Sequence, residues 1–461
     1  MYKDRNELVK DLRRGTFHID CNKIELTRES DGKCHIGPGY IRQRRERDFE
    51  VKLYAAGGYE FREFFESLGK HTAGVLVGAA HHFTLNATDN LGRVWKAERI
   101  INPQQEGGAG KDGHVVTANC FQVSLTEPRH SLETGNWTEL RSFKEVEFPY
   151  NLRTEETVRV GNIRFTETSR SNAAKFVSNG FEFGFENNDG LQVLAAAADL
   201  PLPPMFDDRV TEAITFVLGA IPQWASLTRS QGGETITRFR WREERPESRG
   251  AIPPFRFYPH DPTNSVWNMF DLYLSLTLKD QGYHVHPLSQ CVNSVMQARG
   301  SSVQGQALAV AVAVESLLER FYKEIGIPDA TTTAKVDDLM AHLRRWGVDA
   351  DISNRALGSL GGLKRARSDD RLRQLVARGA VGETERLAWK ELRNTAAHGN
   401  WDRFDDRFQD LVDLTYRVLG LLHQLVFDLI GYIGWRTDYG THGWPEVEYP
   451  SKVPPPTGSA G

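Results

Sequence analysis

The fold of the C-terminal half is decided by a short segment, WKELRNTAAHGN at residues 389–400. The segment has the pattern of a helix end: Thr384 is the predicted N-cap, Glu385 lies in the first turn, and Gly399 follows the last turn. Glycine is the usual residue just past a helix C-terminus, because it adopts the left-handed conformation without strain. The segment therefore predicts a helix that ends at His398.

Three polar side chains come together at this helix end. Residues four apart lie on one face of a helix, so Asn394 and His398 are expected side by side, and the long side chain of Arg393 can reach toward them. They combine a fixed cation, an amide and a histidine, which exchanges a proton near neutral pH. Such groups can cleave a phosphodiester without a metal. An arginine and a histidine at a helix C-terminus are, however, also ordinary partners of the helix dipole.

The sequence around this segment has a helical period. Helices are predicted at 266–278, 288–298, 304–325, 336–346, 372–377, 384–398 and 404–433. They predict an all-helical domain at residues 265–435. A proline-rich linker at 246–264 precedes it, because prolines at this density cannot continue a helix or a central strand. An extended, disordered tail is expected at 436–461.

Residues 1–245 have the pattern of a β-rich domain that senses or binds a ligand. Apolar or alternating runs recur between turn signals at 17–26, 49–54, 73–77, 83–87, 93–101, 115–125, 157–165, 181–185, 191–196 and 235–241. The turns at 89–92 and 188–190 suit hairpins, and a helix is predicted at 207–218. The pattern indicates a sandwich or a barrel and makes the whole chain α+β. The glycine-rich run at 107–113 lacks the phosphate-loop spacing and is expected to be a flexible loop.

Composition and charge restrict the partners of the chain. It has 461 residues, 39% hydrophobic and 26% charged, with a net charge of −4, so a nucleic acid would have to be bound by a local basic patch. The four cysteines form no CxxC pair, which favours the cytoplasm. The N-terminus has no signal-peptide pattern, and polar residues interrupt the most apolar run, at 418–435, so no membrane contact is expected.

Metal sites are disfavoured by the same sequence. His18, Cys21, Cys34 and His35 are ligand types, but the adjacent Cys34 and His35 would have difficulty reaching one tetrahedral ion. Neither a GxSxG nor an HExxH motif occurs. The sequence therefore predicts no metal site and no cofactor.

The Arg-polar-x-x-x-His pattern of Arg393, Asn394 and His398 resembles the defining motif of the HEPN superfamily. It lies at a helix end in a helical domain, between a helix that carries Glu315 and a long apolar helix. A β-rich region before such a domain is similar to the ApeA-like anti-phage defence branch. Glu315 could pair with Arg393, although a plain helix-surface position is the ordinary alternative.

The resemblance implies a metal-independent endoribonuclease with Arg393, Asn394 and His398 as its catalytic residues. Arg393 would hold the scissile phosphate, His398 would act as general acid or base, and Asn394 would orient one of them. HEPN domains generally pair, so a homodimer or higher homo-oligomer is implied. The substrate would be RNA, with tRNA as one candidate, and a phage-derived trigger would act through the N-terminal domain.

A basic segment precedes the motif helix and could follow an RNA backbone. The expected RNA-binding residues are Lys364, Arg365, Arg367, Arg371 and Arg373. The alternative is a solvated surface that Asp369 and Asp370 partly neutralise.

Two other functions remain open at this stage. The helical half could be a non-catalytic HEPN dimerisation or nucleotide-binding module, with a ligand-binding β-rich domain. The β-rich half could also bind carbohydrate or peptide through aromatic platforms, although core packing is the more usual role of such side chains. The candidate platforms are Trp95, Trp137, Trp224 and Trp241.

Overall fold

The fold is described from a computed structural model. It describes residues 4–44, 48–55, 82–101, 103–106, 113–129, 135–143, 146–151, 153–160, 163–170, 173–188, 191–240, 252–256, 264–346 and 349–450. Four sequence predictions lie outside these residues: the strand at 73–77, the glycine-rich loop at 107–112, the turn at 189–190 and the tail at 451–461. Most of the predicted linker, at 246–251 and 257–263, lies outside them as well.

The chain forms an α+β protein, as the sequence predicts. The strands are β1 (His18–Arg28), β2 (Cys34–Arg44), β3 (Asp48–Ala55), β4 (Phe83–Asp89), β5 (Val94–Ile100), β6 (Gln104–Glu106), β7 (His114–Cys120), β8 (Gln122–Pro128), β9 (Asn136–Ser142), β10 (Arg153–Val160), β11 (Ile163–Arg170), β12 (Ala173–Ser178), β13 (Phe181–Asn188), β14 (Leu191–Ala198), β15 (Trp224–Gln231), β16 (Glu234–Arg240), β17 (Gly434–Thr437) and β18 (Glu446–Tyr449). The α-helices are α1 (Arg5–Arg14), α2 (Phe206–Leu218), α3 (Ser265–Leu278), α4 (Pro287–Ala298), α5 (Val303–Phe321), α6 (Ala330–Arg345), α7 (Ala350–Gly361), α8 (Ser368–Ala377), α9 (Glu383–His398) and α10 (Phe408–Ile430).

The chain divides into two compact units, one of residues 1–203 and 222–246 and one of residues 204–221 and 247–461. In the first unit, one antiparallel sheet has the order β12-β13-β14-β9-β15-β16-β8-β5-β4-β1-β2-β3-β7-β6. Only Phe121 separates β7, which pairs with β3, from β8, which pairs with β5. Because β7 and β8 are two halves of one bent strand, the strands from β8 through β1 to β7 close into a barrel.

Aromatic rings fill the interior of this barrel. The ring centroid of Phe17 lies 5.2 Å from that of Phe49, 6.0 Å from that of Trp95 and 5.4 Å from that of Phe239. All four side chains are buried. The predicted turn at 89–92 joins β4 to β5, and the Asp89 carboxylate accepts hydrogen bonds from the backbone N–H groups of Leu91 and Arg93. Alternating apolar residues therefore build this core, as the sequence predicts.

The second unit is helical and is larger than the predicted domain at 265–435. It includes α2, which the sequence boundary at 245 placed in the β-rich half. A buried ion pair explains this position: Arg209 of α2 donates to Glu212 at 2.7 Å, and Glu212 accepts from Ser289 Oγ of α4 at 2.8 Å. Arg209 also donates to the carbonyl oxygen of Tyr283, between α3 and α4. These bonds join α2 to the helices that follow α3.

Two local predictions need correction. Thr384 is not the N-cap of the motif helix, because α9 begins at Glu383 with Gly382 as its N-cap. The first part of the predicted tail is folded, since β17 and β18 form a hairpin that buries Tyr449, whose hydroxyl donates to the carbonyl oxygen of Ala380 at 3.0 Å.

The buried histidines of the helical unit should make its stability sensitive to acid. Burial and then the charge of Arg436 lower the pKa of His423 to about 3, and burial and then Arg209 lower the pKa of His286 to about 4. Below an unfolded-state pKa of about 6.5 the unfolded chain binds protons that the folded chain does not. Stability is therefore expected to fall by about 1.4 kcal/mol per pH unit for each histidine, from pH 6.5 down toward these values.

Urea unfolding of the His423→Phe variant at pH 7 and at pH 5 measures this effect. The variant should lose less stability on acidification than the wild type. It should be at least as stable at pH 7, because His423 Nδ1 is buried without a hydrogen-bond partner among the described residues. His342→Ala, at an exposed histidine of α6, is the control. Equal acid sensitivity of His423→Phe and the wild type would contradict the assignment.

Candidate active site

The helix that carries the motif ends as the sequence predicts. Gly399 has φ +67°, and its N–H donates to the carbonyl oxygen of Thr395. The N–H of Asn400 donates to the same carbonyl oxygen, at 3.2 Å. The last turn of α9 is therefore closed, and any residue with a Cβ atom would be strained at position 399.

The inner face of α9 is anchored in the helical core. Leu392 is fully buried, and the buried indole Nε1 of Trp389 donates to the carbonyl oxygen of Ala311 in α5 at 3.1 Å. This bond links α9 to α5 one turn before the motif arginine. The motif therefore lies on a packed helix rather than on a loop, which holds its side chains in defined positions.

All three motif side chains are exposed on the outer surface of α9. Asn394 and His398 lie on one face, as expected from their spacing, and Arg393 is turned toward α5. There its Nη2 donates to Glu315 Oε1 at 3.3 Å. The Arg393 side chain is 47% exposed and that of Glu315 is 37% exposed. The two alternatives that the sequence left open for Glu315 are therefore compatible, because it is a surface residue of α5 that also pairs with Arg393.

A further cation lies near this face, and sequence reasoning missed it. After Gly399 the chain makes a short 3₁₀ helix, Trp401–Phe404. Arg403 in this helix donates to Glu391, which lies one turn before Asn394 on α9. The 3₁₀ turn thus brings a second guanidinium back alongside α9. The sequence carries no local signal for this return, because the turn direction depends on how residues 399–404 pack.

The structure separates the basic segment into two groups. Three of the predicted RNA-binding residues are held in ion pairs: Lys364 with Asp337, Arg371 with Glu319, and Arg373 with Asp369. The Arg371 side chain is also buried, so it joins α8 to α5 rather than facing solvent. Arg365 and Arg367 are exposed and form no ion pair with a described residue. The segment therefore offers less free positive charge than the sequence predicts.

The ligand-type residues near the N-terminus do not converge. His18 is exposed and lies 2.9 Å from Asp20, whereas Cys21 is buried and its pKa is raised to about 12 by burial and then by Asp89. His35 lies close to His114, with 3.2 Å between ring nitrogens. Across the part of the chain that the structure describes, no three His, Cys, Asp or Glu side chains are placed to hold a metal ion. None of the described helices is long and apolar enough to span a membrane.

Comparison of the chain with family models, curated proteins and solved structures finds no match. Its function is therefore inferred from residue chemistry and geometry.

Proposed function

We propose that the protein is a metal-independent endoribonuclease of the HEPN type, acting in anti-phage defence. The observation that carries the proposal is the joint exposure of Arg393, Asn394 and His398 at the capped end of α9. The surrounding helical unit and the neighbouring cation Arg403, which pairs with Glu391 on the same helix, add support. A phosphodiester approaching this surface meets a guanidinium, an amide and an imidazole within one and a half helical turns.

In the proposed reaction His398 accepts the proton of an RNA 2′-hydroxyl. The 2′-oxygen then forms a bond to phosphorus, the bond from phosphorus to the 5′-oxygen breaks, and the leaving oxygen takes up a proton. The products are a 2′,3′-cyclic phosphate and a free 5′-hydroxyl. Arg393 binds the phosphate oxygens and stabilises the charge that grows in the transition state. Asn394, on the face of His398, orients the imidazole or a phosphate oxygen.

Glu315 has a positioning role in this proposal. Its carboxylate accepts a hydrogen bond from the Arg393 guanidinium at 3.3 Å. An ion pair this exposed contributes only about 0–1 kcal/mol, so an RNA phosphate can share or replace the carboxylate at little cost. Glu315 thereby keeps Arg393 at the site without blocking it.

The proposed enzyme is a homodimer or higher oligomer that pairs two copies of α9. One copy presents an open surface, on which a single arginine and a single histidine would leave an RNA strand accessible to water. Exposed apolar side chains flank the motif on α5 and α9: Leu308 and Val312 are 47% and 51% exposed, and Leu387 is 50% exposed. A second copy that covered them would bury apolar area and enclose the cleft.

The remaining parts of the proposal concern substrate and control. The exposed Arg365 and Arg367 are the best candidates for contact with the RNA backbone, and tRNA is a substrate class to be tested first. The β-rich unit would act as the sensor or regulator that responds to a phage-derived trigger.

Incubation of the full-length protein with tRNA and unstructured RNA in excess EDTA tests the proposal. Cleavage is expected to continue in the chelator, because no step uses a metal, and the fragments should carry 2′,3′-cyclic phosphate and 5′-hydroxyl ends. Mass spectrometry of the fragments reads out these ends. Binding of RNA or nucleotides without any cleavage would instead favour the non-catalytic dimerisation and nucleotide-binding module. Cleavage that stops in EDTA would contradict the proposed chemistry.

A further inference from the structure

One face of the sheet in the first unit changes from apolar to polar along its strands. On β15 and β16 this face pairs Ser226 with Phe239 and Thr228 with Thr237. On the neighbouring β9 the same face carries Trp137, Glu139 and Arg141, which stand opposite Ser230, Thr228 and Ser226 of β15. Phe239 belongs to the barrel core, whereas the residues beyond it, apart from Trp137, are hydroxylic or charged. A sheet face that only packed against a helix would be expected to stay apolar.

Helix α1 covers the boundary between the apolar part and the polar part of this sheet face. Its later residues Leu8 and Leu12 are buried in the barrel core. Its first turn instead faces the polar part, where Arg141 Nη1 donates to Asn6 Oδ1 at 2.6 Å and the Arg5 guanidinium lies 5.4 Å from the Trp137 ring centroid. Between the helix and the sheet remains a cavity of about 240 Å³. At about 30 Å³ per water molecule in the liquid, this volume corresponds to on the order of eight waters.

The cavity is lined mainly by groups that form hydrogen bonds. Its floor includes the hydroxyls of Ser226, Thr228 and Thr237. Ser226 is 1% exposed. The hydroxyls of Thr228 and Thr237 share a hydrogen bond of 3.2 Å. A hydroxyl has one donor and two acceptor lone pairs, so one hydrogen bond does not use its full capacity. This floor therefore favours a ligand that supplies several donors and acceptors.

The charges in the lining favour a neutral ligand. Asp4 and Glu139 are balanced by Arg5 and Arg141, and Arg141 Nε donates to Glu139 at 2.7 Å. An anion such as phosphate would have to displace Glu139 from Arg141. The Arg5 guanidinium lies over the indole of Trp137, so this ring packs against the cation and is not open to a ligand. The groups that would contact a ligand are therefore the hydroxyls and the amide of Asn6.

We propose that this cavity binds a polyhydroxylated ring, the chemical group shared by free sugars and the ribose of nucleosides. Ring hydroxyls both donate and accept hydrogen bonds. This matches the mixture of donors and acceptors on the sheet and in the first turn of α1. The site would make the β-rich unit a small-molecule receptor. The inference does not depend on the ribonuclease proposal, since it concerns different residues and a different unit of the chain.

The test uses the full-length protein and the Thr228→Val/Thr237→Val double variant. Calorimetric titration and thermal melting with D-glucose, D-ribose, adenosine and uridine measure binding. At least one probe is expected to bind the wild type saturably, and the double variant should bind it roughly tenfold more weakly or not at all. Valine has nearly the same shape as threonine. Because both hydroxyls are replaced together, neither is left without the partner that it had in the wild type. Thermal stability should therefore be unchanged or higher. Loss of binding with retained stability separates a ligand site from a structural network.

Thr117→Val, on β7 away from the cavity lining, is the matched control and should bind as the wild type does. Binding of both sugars and nucleosides would support recognition of the ring alone, and binding of nucleosides alone would identify ribose as its source. Absence of saturable binding by all four probes would overturn the proposal. Equal binding by the double variant and the wild type would also overturn it, because the ligand would then occupy another site.

Discussion

Replacing His398 by alanine is expected to lower the rate of RNA cleavage by roughly 100-fold or more. A positioned general acid or base contributes about 10²–10⁴-fold to such a reaction, and alanine cannot take or give a proton. The fold should be retained, because the side chain is exposed and loses only a dipole interaction of about 0.3–1 kcal/mol. Single-turnover cleavage of a labelled RNA in EDTA measures the rate, and thermal melting monitors the fold.

Arg393 gives an independent test of the same site. Arg393→Ala should cause a loss similar to that of His398→Ala, and Arg393→Lys should restore only part of the activity, since lysine keeps the charge but not the two-pronged contact with phosphate. His342→Ala and Arg344→Ala change the same residue types in the last turn of α6, at exposed positions. They should cleave RNA as the wild type does. Full activity of His398→Ala would remove this histidine from the mechanism.

Replacing Glu212 by glutamine is expected to destabilise the helical unit by about 3–5 kcal/mol. The change leaves the fully buried guanidinium of Arg209 without its counter-charge, at a position that water cannot reach. It also weakens the contacts that Glu212 accepts from Ser289 Oγ and from the His286 N–H, at 2.8 and 3.1 Å. The free energy of unfolding in urea, followed by helical circular dichroism, measures the loss.

An exposed pair with the same spacing provides the control. Arg407 and Asp410 are three residues apart, as Arg209 and Glu212 are, but their side chains are 64% and 53% exposed. Asp410→Asn should therefore change stability by less than about 1 kcal/mol. The double variant Arg209→Met/Glu212→Leu should recover most of the stability that Glu212→Gln loses, because no unpaired charge remains buried. Equal effects of Glu212→Gln and Asp410→Asn would show that the buried pair does not hold α2 in place.

Local patterns account for the parts of the fold that the sequence predicted well. The helix end at Gly399, the turn at 89–92 and the periods of α2, α3 and α4 depend on residues within a few positions of one another. The boundary between the two units was harder to predict. α2 has an ordinary amphipathic sequence, and its membership in the helical unit depends on Arg209 and Glu212 meeting residues more than 70 positions away.

In the candidate site, too, some features follow from the local sequence and others depend on contacts between distant residues. Its three side chains, their order and their common surface follow from the sequence alone, because helical geometry places Asn394 beside His398 and glycine ends the helix after them. The tertiary structure decided which charges are available there. The sequence left open whether Arg393 meets Glu315, 78 residues earlier in the chain. It gave no indication that Glu319, 52 residues before Arg371, withdraws that arginine from solvent. Such pairs are set by how helices pack, and no pattern of neighbouring residues encodes them.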